Sequence, residues 1–153
     1  MFGAGGGTSS YAEVEDTDFF LLWGSNARAA HPIYFHHILK GLSKGAKMFA
    51  VDPRRTATAK FADLWLGINV GTDISLANAM SREIIAANLH DKKFIEHATS
   101  GFDAFADHVD EYTLERAAAV TGVTANAIQE LAHEYATAPT AQILWTLGIT
   151  EHH

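Results

Sequence analysis

Phe19-Phe20-Leu21-Leu22-Trp23, cut off at once by Gly24-Ser25-Asn26, constrains this chain more than any other stretch. Five consecutive apolar residues carry no amphipathic period. Bounded by a glycine turn, they read as a strand buried on both faces, the pattern of a parallel sheet covered by helices. The segment that follows, HPIYFHHILKGLSKG, is helical in pattern. Pro32 suits the first helical position, where a missing N–H costs nothing. Ile33, Ile38 and Leu42, with Tyr34 and Phe35 nearby, are expected to form its inward face, and Gly45 to stop it. AKMFAVDP then reads as a second strand ended by Pro53. Strand, helix and strand follow one another in roughly 35 residues, the size of a βαβ unit.

Further along, YAEVEDTD is expected to be a short helix before the first strand, and RRTATAKFAD a short helix or turn. LWLGINV reads as a third strand. Gly71-Thr72-Asp73 then caps a helix over ISLANAMSREIIAANLH, with Leu76, Met80 and Ile84 on one face and Ala77 beside them. Residues 91–138 read as helix in pieces. Thr113 caps one piece that Gly122 closes, and Thr124 caps another whose Ile128, Leu131, Ala132 and Tyr135 recur at helical spacing. Pro139 ends it, and AQILWTLG (141–148) is the fourth expected strand. The glycine- and serine-rich residues 1–10 read as a leader, either flexible or left from a truncated beginning. With no repeat and no long linker, the expectation is one α/β domain over 1–153. It would be a doubly wound, mostly parallel sheet flanked by helices, with a helical stretch at about 91–138.

Composition narrows the function classes. The chain has 153 residues, no cysteine and a formal net charge of −7. The missing cysteines exclude disulfides, thiolate metal sites, cysteine-held iron–sulfur clusters and a cysteine nucleophile within these residues. An acidic balance argues against sequence-independent nucleic-acid binding. No apolar run approaches the ~20 residues of a membrane span, and the start lacks a signal-peptide pattern, so a cytoplasmic location is expected. Nine histidines lack ligand spacing. His36 and His37 are neighbours that diverge on a helix, and no metal ligand is assigned.

In a doubly wound sheet, ligands bind beyond the carboxyl ends of the strands. The four strand exits, Gly24-Ser25-Asn26, Asp52-Pro53-Arg54-Arg55, Gly71-Thr72-Asp73 and Leu147-Gly148-Ile149-Thr150, are therefore expected on one edge. Gly-Ser-Asn is either a capped turn or a close backbone approach to phosphate oxygens. Asp52 is either a turn former or an acceptor for ribose hydroxyls. Arg54 and Arg55 either clamp phosphate or face solvent. Asp73 either caps a helix with Thr72 or accepts the two adjacent N–H donors of a guanine edge. GAGGGTSS has no strand before it, so it fails as a dinucleotide fingerprint, and a nicotinamide-dependent dehydrogenase is disfavoured.

Taken together, WGSNARAAHP, GAKMFAVDPRRTATAKFADLWLGINVGTDISLANAM, KKFIEHATSGFDAFADHVDEYTLERAAAVTGV and ILWTLGITEHH resemble the molybdopterin oxidoreductases of the dimethyl-sulfoxide-reductase family. The resemblance is closest to the catalytic subunits of molybdenum- or tungsten-dependent formate dehydrogenases. It covers nearly the whole chain, and on it His152 and His153 are native.

The resemblance implies an enzyme holding two molybdopterin guanine dinucleotides on one metal, with this chain embracing one of them. Gly24, Ser25 and Asn26 would contact the diphosphate, and Asp52, Pro53 and Arg54 the ribose and guanosine. Gly71, Thr72 and Asp73 would hold the guanine. Leu147, Gly148 and Glu151 would lie toward the pterin, where the family more often has methionine and glutamine in place of Leu147 and Glu151. The implied iron–sulfur segment, metal ligand, catalytic arginine and second cofactor domain lie outside these residues, so no catalytic residue is assigned. Arg54 and Arg55 match the nucleotide turn. The implied reaction, in the full enzyme, is formate to CO₂. The implied partners are the remaining domains and an electron-transfer subunit, with no nucleic acid and no membrane. The chain alone is expected to be inactive and prone to self-association. The alternative is a non-catalytic α/β module that keeps the fold for protein contact.

Overall fold

The computed structural model describes residues 7–151. The glycines at positions 3, 5 and 6 and the terminal His152 and His153 lie outside them. The chain divides into two compact units: residues up to Trp65 together with Pro139–Glu151, and Leu66–Ala138.

The first unit opens with α1 (Tyr11–Val14), started by a capping box in which Ser10 N–H donates to Glu13 and the Ser10 hydroxyl accepts from Glu13 N–H. Next come β1 (Phe19–Trp23), α2 (Ala27–Ala30), α3 (Pro32–Ser43) and β2 (Lys47–Val51). A 3₁₀ turn (Ala59–Phe61) and β3 (Leu64–Leu66), whose last residue begins the second unit, follow, and β4 (Ala141–Trp145) and α9 (Leu147–Thr150) return at the end. The sheet order is β3-β2-β1-β4, and β1 runs parallel to both β2 and β4. Chain order therefore reverses between β1 and β4, which is the switch point of a doubly wound sheet.

All five residues of β1 are buried, as an apolar run without alternation requires. Phe20 and Leu22 face α3, and the register places Met48 and Leu144 beside them. Phe35 and Ile38 of α3 and Val14 of α1 complete this core. Each such large side chain contributes about 2 kcal/mol through burial. Ile33 does not join it and is exposed. Phe35, Ile38 and Leu42 are spaced three and four apart and share a face, whereas Ile33, five positions before Ile38, falls off it. On the other face of the sheet Phe19 meets Phe49 edge-on, with ring centroids 5.1 Å apart.

Two expected strands are shorter in the structure. β3 ends at Leu66 because the next donors turn elsewhere: Ile68 N–H donates to Leu66 O and Asn69 N–H to Thr121 O. β4 ends at Trp145, so Leu147 and Gly148 start a short helix and do not extend the strand.

The second unit contains α4 (Asp73–Ala86), α5 (Lys92–Ala98), α6 (Phe102–Val109), α7 (Leu114–Thr121) and α8 (Ala125–Thr137). The Thr113 and Thr124 hydroxyls accept from Arg116 and Ala127 N–H, and Gly122 closes α7 in the left-handed conformation. Helix α4 packs on α6, α7 and α8. Its buried positions are Leu76, Ala79, Met80 and, unexpectedly for a charged residue, Glu83. Among the described residues no helix is long and apolar enough to cross a membrane.

Candidate functional site

Within the first unit the parallel register brings three strand exits to one sheet edge, with Trp23 level with Val51 on one side and Trp145 on the other. Gly24 leaves β1 with φ +62°, a left-handed conformation that disfavours any side chain. Its N–H donates to Val51 O at 2.8 Å, and its carbonyl accepts from Thr146 Oγ1 at 2.7 Å. The first of these ties the β1 exit to β2, and the second ties it to β4 across the switch point. Thr146→Val is expected to lower the unfolding free energy by about 1 kcal/mol, the net worth of one hydrogen bond. Urea denaturation checks it, and an unchanged midpoint would contradict it.

Ser25 is buried, and Asn26 precedes α2 without making a side-chain cap. Instead, Asn26 Oδ1 accepts from Thr58 Oγ1 at 2.8 Å, and Thr58 Oγ1 accepts from Arg28 N–H at 3.0 Å. Thr58 is fully buried. It links the Gly-Ser-Asn turn to the segment after Asp52.

Asp52 is buried at the end of β2, and its Oδ1 accepts from Arg54 N–H at 2.8 Å. The turn-forming role anticipated for this residue is therefore present. It occupies one carboxylate oxygen, and among the described residues no hydrogen bond engages the other. The Trp65 indole N–H donates to Asp52 O at 2.9 Å, and the Arg55 guanidinium lies over the Trp65 ring at 5.8 Å. Pro53 and Arg54 are exposed.

Leu147 and Gly148 lie in α9, exposed, and a Cβ added at Gly148 would meet open space. Glu151 is the C-terminal cap of α9, its N–H bonded to Leu147 O at 2.8 Å. The β4 residues Ile143 and Trp145 are exposed, while Gln142 and Leu144 point to the core side, where Gln142 accepts from the Tyr34 hydroxyl.

Gly71, Thr72 and Asp73 belong to the second unit. Thr72 occupies the N-cap position of α4, but its hydroxyl turns back to donate to Asn69 O at 2.7 Å. Asp73 is the first residue of the helix, a position where a carboxylate is favoured by the exposed N–H groups.

Two residues at this edge were not among the candidates from sequence, Thr58 and Thr146. A threonine directly after a strand is the only local signal for Thr146. Thr58 sits in an unremarkable Thr-Ala-Thr-Ala run.

The family model for molybdopterin oxidoreductases matches residues 3–153. The chain belongs to this family. It is 40% identical over 151 residues to the alpha subunit of a formate dehydrogenase of Methanococcus maripaludis, which spans 99% of this chain and 22% of that protein. It is 38% identical over 149 residues to formate dehydrogenase H of Escherichia coli, covering 97% of this chain and 21% of the relative. Among solved structures, acetylene hydratase from Pelobacter acetylenicus superposes with a TM-score of 0.83 at 35% identity, over 91% of this chain and 19% of that one. The chain thus spans about a fifth of the length of the relatives it matches. The α/β architecture inferred from sequence agrees with the sheet, with the family and with this structural neighbour.

Proposed function

We propose that this chain grips the guanine dinucleotide handle of a molybdopterin cofactor within a formate-dehydrogenase-like oxidoreductase. The observation that carries the reading is the junction of three strand exits at the β1/β4 switch point. The groups at that edge suit a dinucleotide. Asp52 has a carboxylate oxygen to spare for ribose hydroxyls, with the exposed Arg54 beside it to neutralise phosphate. Gly24 brings backbone close to a ligand, and Ser25 and the Asn26 amide would face the diphosphate. Gly71, Thr72 and Asp73 would hold the guanine through its paired donors. Leu147, Gly148 and Glu151 would lie toward the pterin, and the open space at Gly148 leaves room for it.

When bound, the molybdenum or tungsten of the bis-dinucleotide cofactor supplies two-electron chemistry, formate to CO₂ in the full enzyme. This chain's residues bind and orient, and the chain alone is inactive on this reading. Its partners are the remaining domains of the same enzyme, which would cover Ile143, Trp145 and Leu147, and an electron-transfer subunit.

Titration with GDP, with ADP as control, tests the binding role. GDP is expected to bind more tightly than ADP. Asp52→Asn retains an oxygen for the Arg54 N–H but replaces the spare acceptor with a donor, and is expected to weaken GDP by about tenfold. No GDP binding would overturn the proposal. If, in addition, the chain self-associated through the exposed apolar face of β4, the second reading, a non-catalytic contact module, would take its place.

A further inference from the structure

We propose that Thr58 is a positioning residue that locks the Asn26 side chain so that its Nδ2 amide, and not its carbonyl oxygen, is presented to a phosphate-bearing ligand. The inference rests on the dinucleotide reading above and specifies how one turn of that site works.

A hydroxyl has one hydrogen to give. At Thr58 the oxygen accepts from Arg28 N–H at 3.0 Å, and the hydroxyl hydrogen goes to Asn26 Oδ1 at 2.8 Å. The residue is fully buried, so no solvent competes for either bond, and its one hydrogen needs a protein acceptor, which among the described residues is Asn26 Oδ1. Its place is fixed in turn by the 3₁₀ turn that it begins, where Phe61 N–H donates to Thr58 O at 3.0 Å.

The consequence falls on Asn26. Its acceptor oxygen is committed, while among the described residues its Nδ2 donates to nothing. Asn26 is partly exposed at the strand exit beside Gly24. The turn therefore presents two N–H donors without an acceptor, which suits a ligand that only accepts, such as a diphosphate. A ligand offering donors at this point would find no partner. Discrimination at the turn comes from a threonine 32 residues away in the chain that touches no ligand itself.

The test uses the 153-residue chain, ¹⁵N-labelled, with GDP as the probe. In the wild-type chain the Arg28 amide should be protected from hydrogen exchange, and the Asn26 Nδ2–H₂ signals should shift as GDP is added. Thr58→Val keeps the shape and removes both bonds. It should unprotect the Arg28 amide and weaken GDP by tenfold or more. Thr58→Ser should restore both, which a role in packing alone would not produce. Asn26→Asp keeps an acceptor for Thr58 but turns the free donor into an anionic oxygen. It should lose GDP binding while melting within a few degrees of wild type, and it serves even if Thr58→Val folds poorly. The proposal is overturned if Thr58→Val binds GDP like wild type, if Thr58→Ser fails to rescue, or if Asn26→Asp binds undiminished. A wild-type chain that binds no GDP overturns the dinucleotide reading itself and this inference with it.

Discussion

Gly41→Leu is expected to prevent the first unit from reaching its native packing, and Gly41→Ala to destabilise it by about 1 kcal/mol net. Gly41 lies buried in α3 where the helix packs on α1, with the Phe20 ring of β1 against it. A Cβ there would sit 3.1 Å from two carbons of the Phe20 ring and 3.1 Å from the backbone oxygen of Val14. Neither neighbour can step aside easily. Phe20 is fully buried in the middle of the core cluster, and the Val14 oxygen is backbone. Overpacking of this kind costs about 1–3 kcal/mol. Against it, alanine gains about 1 kcal/mol over glycine in a helix interior. The clash wins for alanine by a small margin, and for leucine, with three more carbons beyond a Cβ already too close to Phe20 and Val14, by well over 3 kcal/mol. Urea denaturation of the alanine variant and circular dichroism of the leucine variant measure this. A more stable alanine variant would mean that α3 can lift from β1 at no cost.

The second large effect is expected at Glu83. Its side chain is 11% exposed, yet it carries a carboxylate whose Oε1 accepts from Gln129 Nε2 at 2.9 Å and meets His133 Nε2 at 2.8 Å. These bonds join α4 to α8. Glu83→Ala leaves the Gln129 amide and the His133 ring without this partner and opens space between two packed helices. A loss of about 1.5–3 kcal/mol is expected, the range for hydrogen bonds to a charged group.

The same carboxylate makes stability depend on pH. Burial opposes its ionisation, but the hydrogen bonds from Gln129 and His133, with the His133 and Arg82 charges, outweigh burial and hold it below the ordinary glutamate value of 4.5. A group depressed in the folded state binds its proton more readily when unfolded. Its contribution is thus complete above about pH 4.5 and is lost as the pH falls through the lower folded value. Glu83→Gln, which cannot titrate, should therefore show a flatter fall in melting temperature over the acid range than wild type. Parallel curves would place the acid sensitivity elsewhere. Glu13 and Glu15 are also depressed, by Ser10 and by Lys40 with His37, and they titrate alike in both proteins.

Much of the fold was legible because it is written locally. An unbroken apolar pentad has only one economical fate in an α/β chain, and β1 is buried at every position. Pro32 starts α3, and Thr113 and Thr124 cap α7 and α8, because each acts on backbone groups within four residues. Strand ends were less legible. Where β3 stops depends on a carbonyl at Thr121, and where β4 stops depends on α9 beginning. Of the site, the turns themselves could be read from glycine and Asx chemistry, and three of them gather on one edge because βαβ connections make strands parallel.

The sequence alone determined where the main strands and helices lie, though not where β3 and β4 end or that Leu147 and Gly148 would be helical. It also determined that one strand would be buried on both faces and which turns carry polar groups. Those properties depend on neighbours along the chain. Only the tertiary structure decided that Thr58 commits the Asn26 oxygen, that Thr146 ties the β4 exit to Gly24, that Gly41 must stay bare against Phe20, and that Glu83 belongs inside. Each of these depends on an atom brought from 21 to 122 residues away by register and helix packing. Hydrophobic period encodes which face turns inward, but it does not encode which atom that face will meet.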